Sequence, residues 1–251
     1  MADGAERELR LRVVEDAEKL NRTAADIVAE VIAANPTASV VAATGRTPMG
    51  LYRELARRRR AGLADPSAIT AVQLDEYLGL DPNDRRSLLR WMRRSFAAPL
   101  GIAADHIVAL PVDGELDEAC ASFDRALEAR GGLDLAILGL GLNGHLGFNE
   151  PPSSADAPTR VVVLSPRTVE ANAGYWGAEA DVPRRAVTIG LQPLLAARSI
   201  VLVVSGAAKR TIVHRALEGG VGPEVPASFL RTTEADVTVV VDREAWGDHR
   251  A

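Results

Sequence analysis

Three short segments of this chain carry acid–base or anion-binding residues directly after apolar, β-branched runs. The richest is Gly139–Pro151, reading GLGLNGHLGFNEP, in which His145 stands between Asn143 and Glu150. Glycines at 139, 141, 144 and 147 let a backbone approach a ligand closely. An imidazole whose tautomer and charge are set by a neighbouring amide and carboxylate is suited to moving protons near neutral pH. The second segment, Asp75-Glu76-Tyr77-Leu78-Gly79-Leu80, follows the run ending at Leu74. A carboxylate at a strand end that loses hydration gains basicity toward a weakly acidic C–H. The plainer alternative is an acidic pair at a helix N-terminus, and adjacent Asp and Glu need not face the same way.

The third segment, Thr44-Gly45-Arg46-Thr47-Pro48, lies between the run Val40–Ala43 and a helical pattern beginning near Met49. Backbone N–H groups at such a turn point outward at the positive end of a helix dipole, where a phosphate binds, and Thr44 and Thr47 add hydroxyls. An ordinary capped turn with Thr47 as N-cap explains the same residues equally well. The segment lacks the spacing and the Lys-Ser/Thr pair of a P-loop. Gly139 to Gly144 formally matches GxGxxG. A dinucleotide site is nevertheless discounted, because His145 and Asn149-Glu150-Pro151 interrupt the helix that should follow, and the early βαβ context is missing.

These segments need a scaffold that brings strand ends together. Strands are expected at Leu9–Val14, Ser39–Ala43, Thr70–Leu74, Leu133–Leu138, Arg160–Leu164, Ala186–Ile189, Ser199–Val204 and Val237–Val241. Helical patterns cover Asp16–Asn35, Pro48–Ala61, Arg85–Pro99, Gly114–Arg130, Thr168–Tyr175, Leu191–Ala197 and Ala207–Leu217. Alternating strands and helices imply an α/β fold with a mostly parallel central sheet flanked by helices, and no linker divides residues 1–251 into more than one domain. In such sheets ligands sit beyond the carboxyl ends of strands, where all three segments fall.

The composition narrows the class. The chain has 251 residues, 47% hydrophobic and 25% charged, the balance of a globular protein. With 29 Lys and Arg against 34 Asp and Glu, the net charge of -5 gives no general reason to expect a nucleic-acid partner. Arg57 to Arg60 reads as a solvated helix end. Cys120 is the only cysteine, which rules out an intrachain disulfide and a cysteine-built zinc site. The charged N-terminal stretch lacks an apolar signal core, and no stretch reaches the roughly 20 apolar residues that span a bilayer, so a cytoplasmic location without a membrane partner is expected.

In this order and spacing, ATGRTP, LDEYLGL and GLGLNGHLGFNEP resemble the phosphate-binding turn, carboxylate motif and catalytic loop of the glucosamine-6-phosphate deaminase family, over nearly the whole chain. That family shares its fold with 6-phosphogluconolactonases, which typically lack the FNEP continuation. The resemblance implies a modified Rossmann-like fold and a metal-free, cofactor-free conversion of an amino-sugar 6-phosphate, glucosamine 6-phosphate first among them, to a ketose 6-phosphate and ammonia. It implies Asp75 as the base moving a proton from C2 to C1, and His145, with Glu150 as its partner and Asn143 orienting them, as the ring-opening group. Thr44, Gly45, Arg46, Thr47 and Lys209 would hold the phosphate. Many relatives have Asp where Asn143 stands, which removes one charge beside His145.

Two departures stand out. An arginine that usually contacts the phosphate falls on Gly174 here, and Arg46, where small residues are usual, is expected to compensate. The lysine that helps some deaminases bind N-acetylglucosamine 6-phosphate falls on Val162, so little activation by that ligand is expected. A lactonase of the same fold, with His145 as base, is the nearest alternative. A non-catalytic sugar-phosphate-binding paralogue is a further one, as is a sugar-phosphate sensor, although too little chain precedes the first strand to hold a helix-turn-helix. The resemblance leaves the sugar epimer open, and with it the choice between monomer and homo-oligomer.

Overall fold

The computed structural model describes residues 7, 9–81 and 84–247. The expected domain of residues 1–251 runs past them at both ends. Ten strands occur among these residues: β1 (Arg10–Val14), β2 (Ser39–Ala42), β3 (Thr70–Gln73), β4 (Asp75–Tyr77), β5 (Ile107–Val108), β6 (Leu135–Gly139), β7 (Arg160–Val163), β8 (Arg185–Thr188), β9 (Ser199–Val204) and β10 (Asp236–Asp242). The helices are α1 (Ala17–Ala34), α2 (Met49–Arg60), α3 (Leu88–Met92), α4 (Ala98–Leu100), α5 (Leu116–Ala129), α6 (Pro166–Trp176), α7 (Leu191–Leu195), α8 (Arg210–Leu217) and α9 (Arg243–Trp246). One π-helical turn, Arg93–Ala97, joins α3 to α4, so the expected helix Arg85–Pro99 is a composite that begins at the Ser87 N-cap.

Seven strands form one parallel sheet in the order β1-β10-β9-β6-β2-β3-β5. Its central strands are apolar on both faces because helices cover both. Alternate residues of β2 show the division. Val40 and Ala42 pack toward α1, α2 and the α3–α4 helix, whereas Val41 faces the layer of α5, α7, α8 and α9. The amphipathic stripe of α1, with Leu20, Ala24, Ala25, Val28 and Ile32 buried, recurs at helical spacing and follows an Asp16 N-cap whose carboxylate accepts the Lys19 N–H. The Tyr52 hydroxyl on α2 donates to the Ala43 carbonyl at 2.8 Å, which fixes this helix beneath the loop that follows β2.

From β2 the chain builds outward through β3 to β5, and from β6 it builds the other way through β9 to β10. The order therefore reverses between β2 and β6. At such a point the connections leave in opposite directions and a crevice opens beyond the strand ends.

Two expectations need correction. The strands expected at Arg160–Leu164 and Ala186–Ile189 do not join the parallel sheet. They form β7 and β8 of a separate antiparallel sheet with β4, in the order β4-β8-β7. The segment Asp75–Tyr77, expected as a loop or a helix start, is itself the strand β4. Periodicity over so few residues cannot say which sheet a strand will join, and β5, two residues long, gives no periodic signal at all. The small sheet packs against α6 through Tyr77, Phe148, Leu164, Val169 and Trp176. Among the described residues, no helix is long and apolar enough to cross a membrane.

Gly144 shows how closely this frame holds the loop after β6. Its φ is +89°, and a Cβ there would stand 2.8 Å from Val225 Cγ1, while its carbonyl accepts the Ala227 N–H at 2.9 Å. Gly144→Ala combines left-handed strain with a clash against buried Val225. A loss of about 1–3 kcal/mol in urea unfolding is expected, against no loss for a substitution at exposed Gly220, where a Cβ meets nothing within 4 Å.

Candidate active site

At the carboxyl ends of β2, β3 and β6 lies a cleft of about 720 Å³. Thr44, Gly45, Arg46, Thr47, Asp75, Asn143, His145 and Lys209 all line it. Of the expected site residues, only Glu150 stands behind the lining rather than in it. A second, smaller cavity sits at the amino ends of β9 and β10 and shares no residue with this one.

The acidic pair is divided between two tasks. Asp75 lines the cleft, is 5% exposed, and its Oδ1 accepts a weak hydrogen bond from the Thr44 hydroxyl at 3.4 Å. Burial and the adjacent Glu76 charge raise its pKa from the ordinary carboxylate range to about 7, with the Thr44 bond opposing them. Glu76, its neighbour on the opposite face of a β4 of period two, turns away. It accepts from the Tyr77, Leu88 and Leu89 N–H groups at 2.9 Å each, from the Ser87 hydroxyl at 2.7 Å and from the Gln73 amide at 3.1 Å. The suspected helix-terminal role thus belongs to Glu76 alone, and the helix it serves is α3, distant in sequence.

In the loop after β6, a Gly141 N–H to His145 carbonyl bond of 3.0 Å and a Gly144 N–H to Gly141 carbonyl bond of 3.1 Å close a tight turn. The His145 ring lies against Gly141 so closely that a Cβ there would come within 2.2 Å of Cδ2. Only glycine leaves room for the imidazole. The ring's Nδ1 is buried with no hydrogen-bond partner among the described residues. Burial lowers the imidazole pKa to about 4; the Glu150 charge pulls it back up and the Lys209 charge pushes it further down. His145 is neutral at physiological pH.

Glu150 was expected as the direct partner of His145, and here the structure differs. No hydrogen bond joins them. The carboxylate is occupied instead by Ser165, whose N–H and hydroxyl donate at 2.7 and 2.6 Å, by the Thr168 hydroxyl at 2.5 Å, and by the Asn143 amide at 3.4 Å. Burial raises its pKa, but the bonds from Ser165 and Thr168 outweigh that and hold it below the usual carboxylate value, helped by His145 when that ring is protonated. Glu150 therefore acts on the His145 ring through its field, and is linked to the His145 backbone by Asn143, whose Oδ1 accepts the His145 main-chain N–H at 3.3 Å. An amide suits this position, since it can donate to Glu150 and accept from His145, whereas a carboxylate would repel Glu150.

Ser165 and Thr168 were missed as site residues because the helix was expected to begin at Thr168. The Ser165-Pro166 pair, an N-cap followed by proline at the first helical position, is the signal that marks the true start. Asn149, fully buried, donates to the Leu146 and Ile189 carbonyls at 2.9 and 2.8 Å and accepts from Arg160 at 2.7 Å, so FNEP is held as a rigid unit. Tyr77, Phe148 and Trp176 form an aromatic wall, and Arg86 lies 4.3 Å over the Trp176 ring.

The first loop is not a capped turn. Pro48 occupies the N-cap position of α2, and no side chain, that of Thr47 included, caps the helix. Lys209 ends a 3-10 turn, Ala207–Lys209, after β9; its Nζ donates to the Leu140 carbonyl at 2.5 Å. Burial lowers its pKa to about 8, with the Arg167 charge adding to the effect. The position expected for a phosphate-binding arginine, Gly174, is an exposed glycine on α6 with nothing within 4 Å of a Cβ, and Val162 packs against the aromatic cluster. Among the described residues, no three His, Cys, Asp or Glu side chains are grouped to hold a metal ion.

Residues 14–239 match the family of glucosamine-6-phosphate isomerases/6-phosphogluconolactonase. The chain is 36% identical over 229 residues to the glucosamine-6-phosphate deaminase of Thermoanaerobacter pseudethanolicus, covering 91% of this chain and 90% of that protein. It is 38% identical over 231 residues to that of Bacillus velezensis, covering 92% and 95%. A solved monomeric glucosamine-6-phosphate deaminase superposes with a TM-score of 0.90 at 36% identity, covering 94% of this chain and 98% of that one. A 6-phosphogluconolactonase from Trypanosoma cruzi, 19% identical, shares the fold with a TM-score of 0.77, covering 99% and 100%.

The two adjacent carboxylates predict opposite stability effects. The folded pKa of Asp75, about 7, exceeds the unfolded value of 3.8, so the unfolded state releases its proton first as pH rises. Stability falls from about pH 4 and the penalty is complete above about pH 7. Asp75→Asn is expected to stabilise the protein by about 1–3 kcal/mol at pH 8 and by almost nothing at pH 4. Glu76→Ala, which strips the N-terminal N–H groups of α3 of their acceptor, should cost about 2–4 kcal/mol. Thermal unfolding at both pH values checks the pair, and destabilisation by Asp75→Asn at pH 8 would contradict the role of burial.

Proposed function

The chain belongs to the family of glucosamine-6-phosphate isomerases and 6-phosphogluconolactonases, and within it we propose that this protein is an isomerising deaminase, converting glucosamine 6-phosphate and water into fructose 6-phosphate and ammonia. One observation carries the reading: a buried carboxylate with a pKa of about 7, Asp75, faces the same cleft as a neutral histidine and a lysine ammonium. Proton abstraction next to a carbon bearing an amine needs a base poised near the working pH.

His145 takes the proton of the anomeric hydroxyl and delivers it to the ring oxygen, which opens the ring. An imidazole with a pKa of about 4 stays neutral between turnovers, so it can accept and then donate. Glu150 stabilises the imidazolium formed in between, and Asn143 keeps the two in register. Asp75 then removes the C2 proton of the open chain, giving an enolamine, and returns it to C1. The resulting imine at C2 takes up water and releases ammonia, leaving the ketone. The phosphate rests on the backbone N–H groups around Gly45, the hydroxyls of Thr44 and Thr47, and the charges of Arg46 and Lys209.

Residues 1–251 act as one catalytic domain in this reading, supported by β1 and β10, from the two ends of the chain, pairing along all of β1. Its partner is the small amino-sugar phosphate. A cytoplasmic location fits, because a doubly charged phosphate keeps its sugar on the side of the membrane where it is made.

Coupled detection of ammonia and fructose 6-phosphate is the direct assay. kcat/KM for glucosamine 6-phosphate is expected to follow a bell, rising through about pH 7 as Asp75 ionises and falling above about pH 8 as Lys209 loses its proton. Asp75→Asn should remove turnover by at least about 1000-fold. Acid release from 6-phosphogluconolactone without ammonia release from any amino-sugar 6-phosphate would replace this reading with the lactonase.

The Arg46 role has its own test. Arg46→Ala is expected to raise KM about 5- to 50-fold with a much smaller change in kcat. An unchanged KM removes Arg46 from the phosphate site.

A further inference from the structure

Lys209 is a partly buried ammonium with one donor committed to the Leu140 carbonyl, and among the described residues no carboxylate forms an ion pair with it, with Arg167 or with Arg46. Arg167 lines the same cleft and lies close enough for its charge to press on Lys209. Two cations lining one cleft without a counter-charge repel each other, and an anion bound between them relieves that repulsion. Of the other arginines that line the cleft, Arg94 sits on the π-helical turn between α3 and α4, away from the turn after β9 that carries Lys209. Arg86 is held in a fork by Asp84 and stacks on Trp176, and Arg85 lies in the field of the same Asp84.

We propose that Arg167, in the first turn of α6, grips the substrate phosphate together with Lys209 and, in addition to Arg46 in the cleft lining, supplies a guanidinium from the helix where position 174 lacks one. The proposal rests on the deaminase reading for the identity of the sugar, but not for the anion. Ser165 and Thr168 flank Arg167 in sequence, and both donate to Glu150. The backbone that carries the guanidinium is thereby tied to the catalytic loop, so its starting point relative to His145 is fixed before substrate arrives. Arg167 and Gly174 are seven residues apart, which puts them within about 20° on one edge of α6 and about 10 Å apart along it. A guanidinium can enter the cleft from either end of that edge. In this chain it starts at the end nearer the catalytic loop, which ties phosphate binding to the loop bearing Glu150.

The experiment uses the full chain and two ligands. Calorimetric titration with inorganic phosphate reports the anion site alone, and steady-state kinetics with glucosamine 6-phosphate reports the reaction. Arg167→Ala is expected to weaken phosphate binding and raise KM by about 10- to 100-fold, with kcat falling far less. Arg167→Lys should recover part of that loss. Gly174→Arg placed in the Arg167→Ala background should recover most of it, since position 174 has open space for a side chain. A role for Arg167 in packing alone, with no charge acting at the cleft, would not move the alkaline limb of the kcat/KM profile. The proposal requires that limb to shift upward in Arg167→Ala, because Lys209 is relieved of a neighbouring positive charge. Unchanged phosphate affinity in a folded Arg167→Ala would overturn it, whether or not the limb moves. Arg167-dependent phosphate binding with no turnover of glucosamine 6-phosphate by wild type would sustain the clamp while rejecting the deaminase reading.

Discussion

The reversal of strand order between β2 and β6 is the constraint on which everything else depends. Adjacent parallel strands whose connections leave in opposite directions cannot both be covered at their carboxyl ends, so an opening is unavoidable there. The loop after β2 supplies unpaired N–H groups to that opening, the loop after β6 supplies His145, and the next strand over, β3, delivers Asp75. Three segments far apart in the chain meet because a sheet of parallel strands has all its carboxyl ends on one side.

Desolvation then sorts the charged groups that meet there. The groups facing the cleft have few hydrogen-bond partners, and burial moves each toward its neutral form: Asp75 upward to about 7, His145 down to about 4, Lys209 down to about 8. Glu76 and Glu150, one step behind, are surrounded by donors that hold them in place. The cleft-facing carboxylate and the two behind it differ in how many donors reach them.

The antiparallel sheet and α6 make up a second layer over this site. β4 joins that layer directly to β3, so Asp75 sits at the seam between the two sheets, with Gln73 donating to the Asp75 carbonyl at 3.0 Å. Glu150 links the loop after β6 to the start of α6 through Ser165 and Thr168. A change in the position of α6 is therefore felt at His145 through charge and hydrogen bonds.

Much of this was legible in the residues themselves. The helical stripe of α1, the apolar runs of β2, β6 and β9, and the glycines around His145 each report a local requirement, and local requirements are written in local sequence. So were the strand-end loops that line the cleft, since a parallel sheet must place them there, but not the residues that α6 adds to it, Arg167 and Thr168 among them. What only the tertiary structure decided was assignment between equals. The sequence places Asp75 and Glu76 side by side and cannot say which faces the cleft, because that depends on β4 pairing with β8 and on α3 presenting its N–H groups to Glu76. It likewise shows Glu150 near His145, but the donors that take up its carboxylate, Ser165 and Thr168, arrive from a helix packed through a separate sheet. Sequence proximity sets which groups can meet, whereas hydration and hydrogen-bond partners, which set their charge, exist only once distant segments have packed.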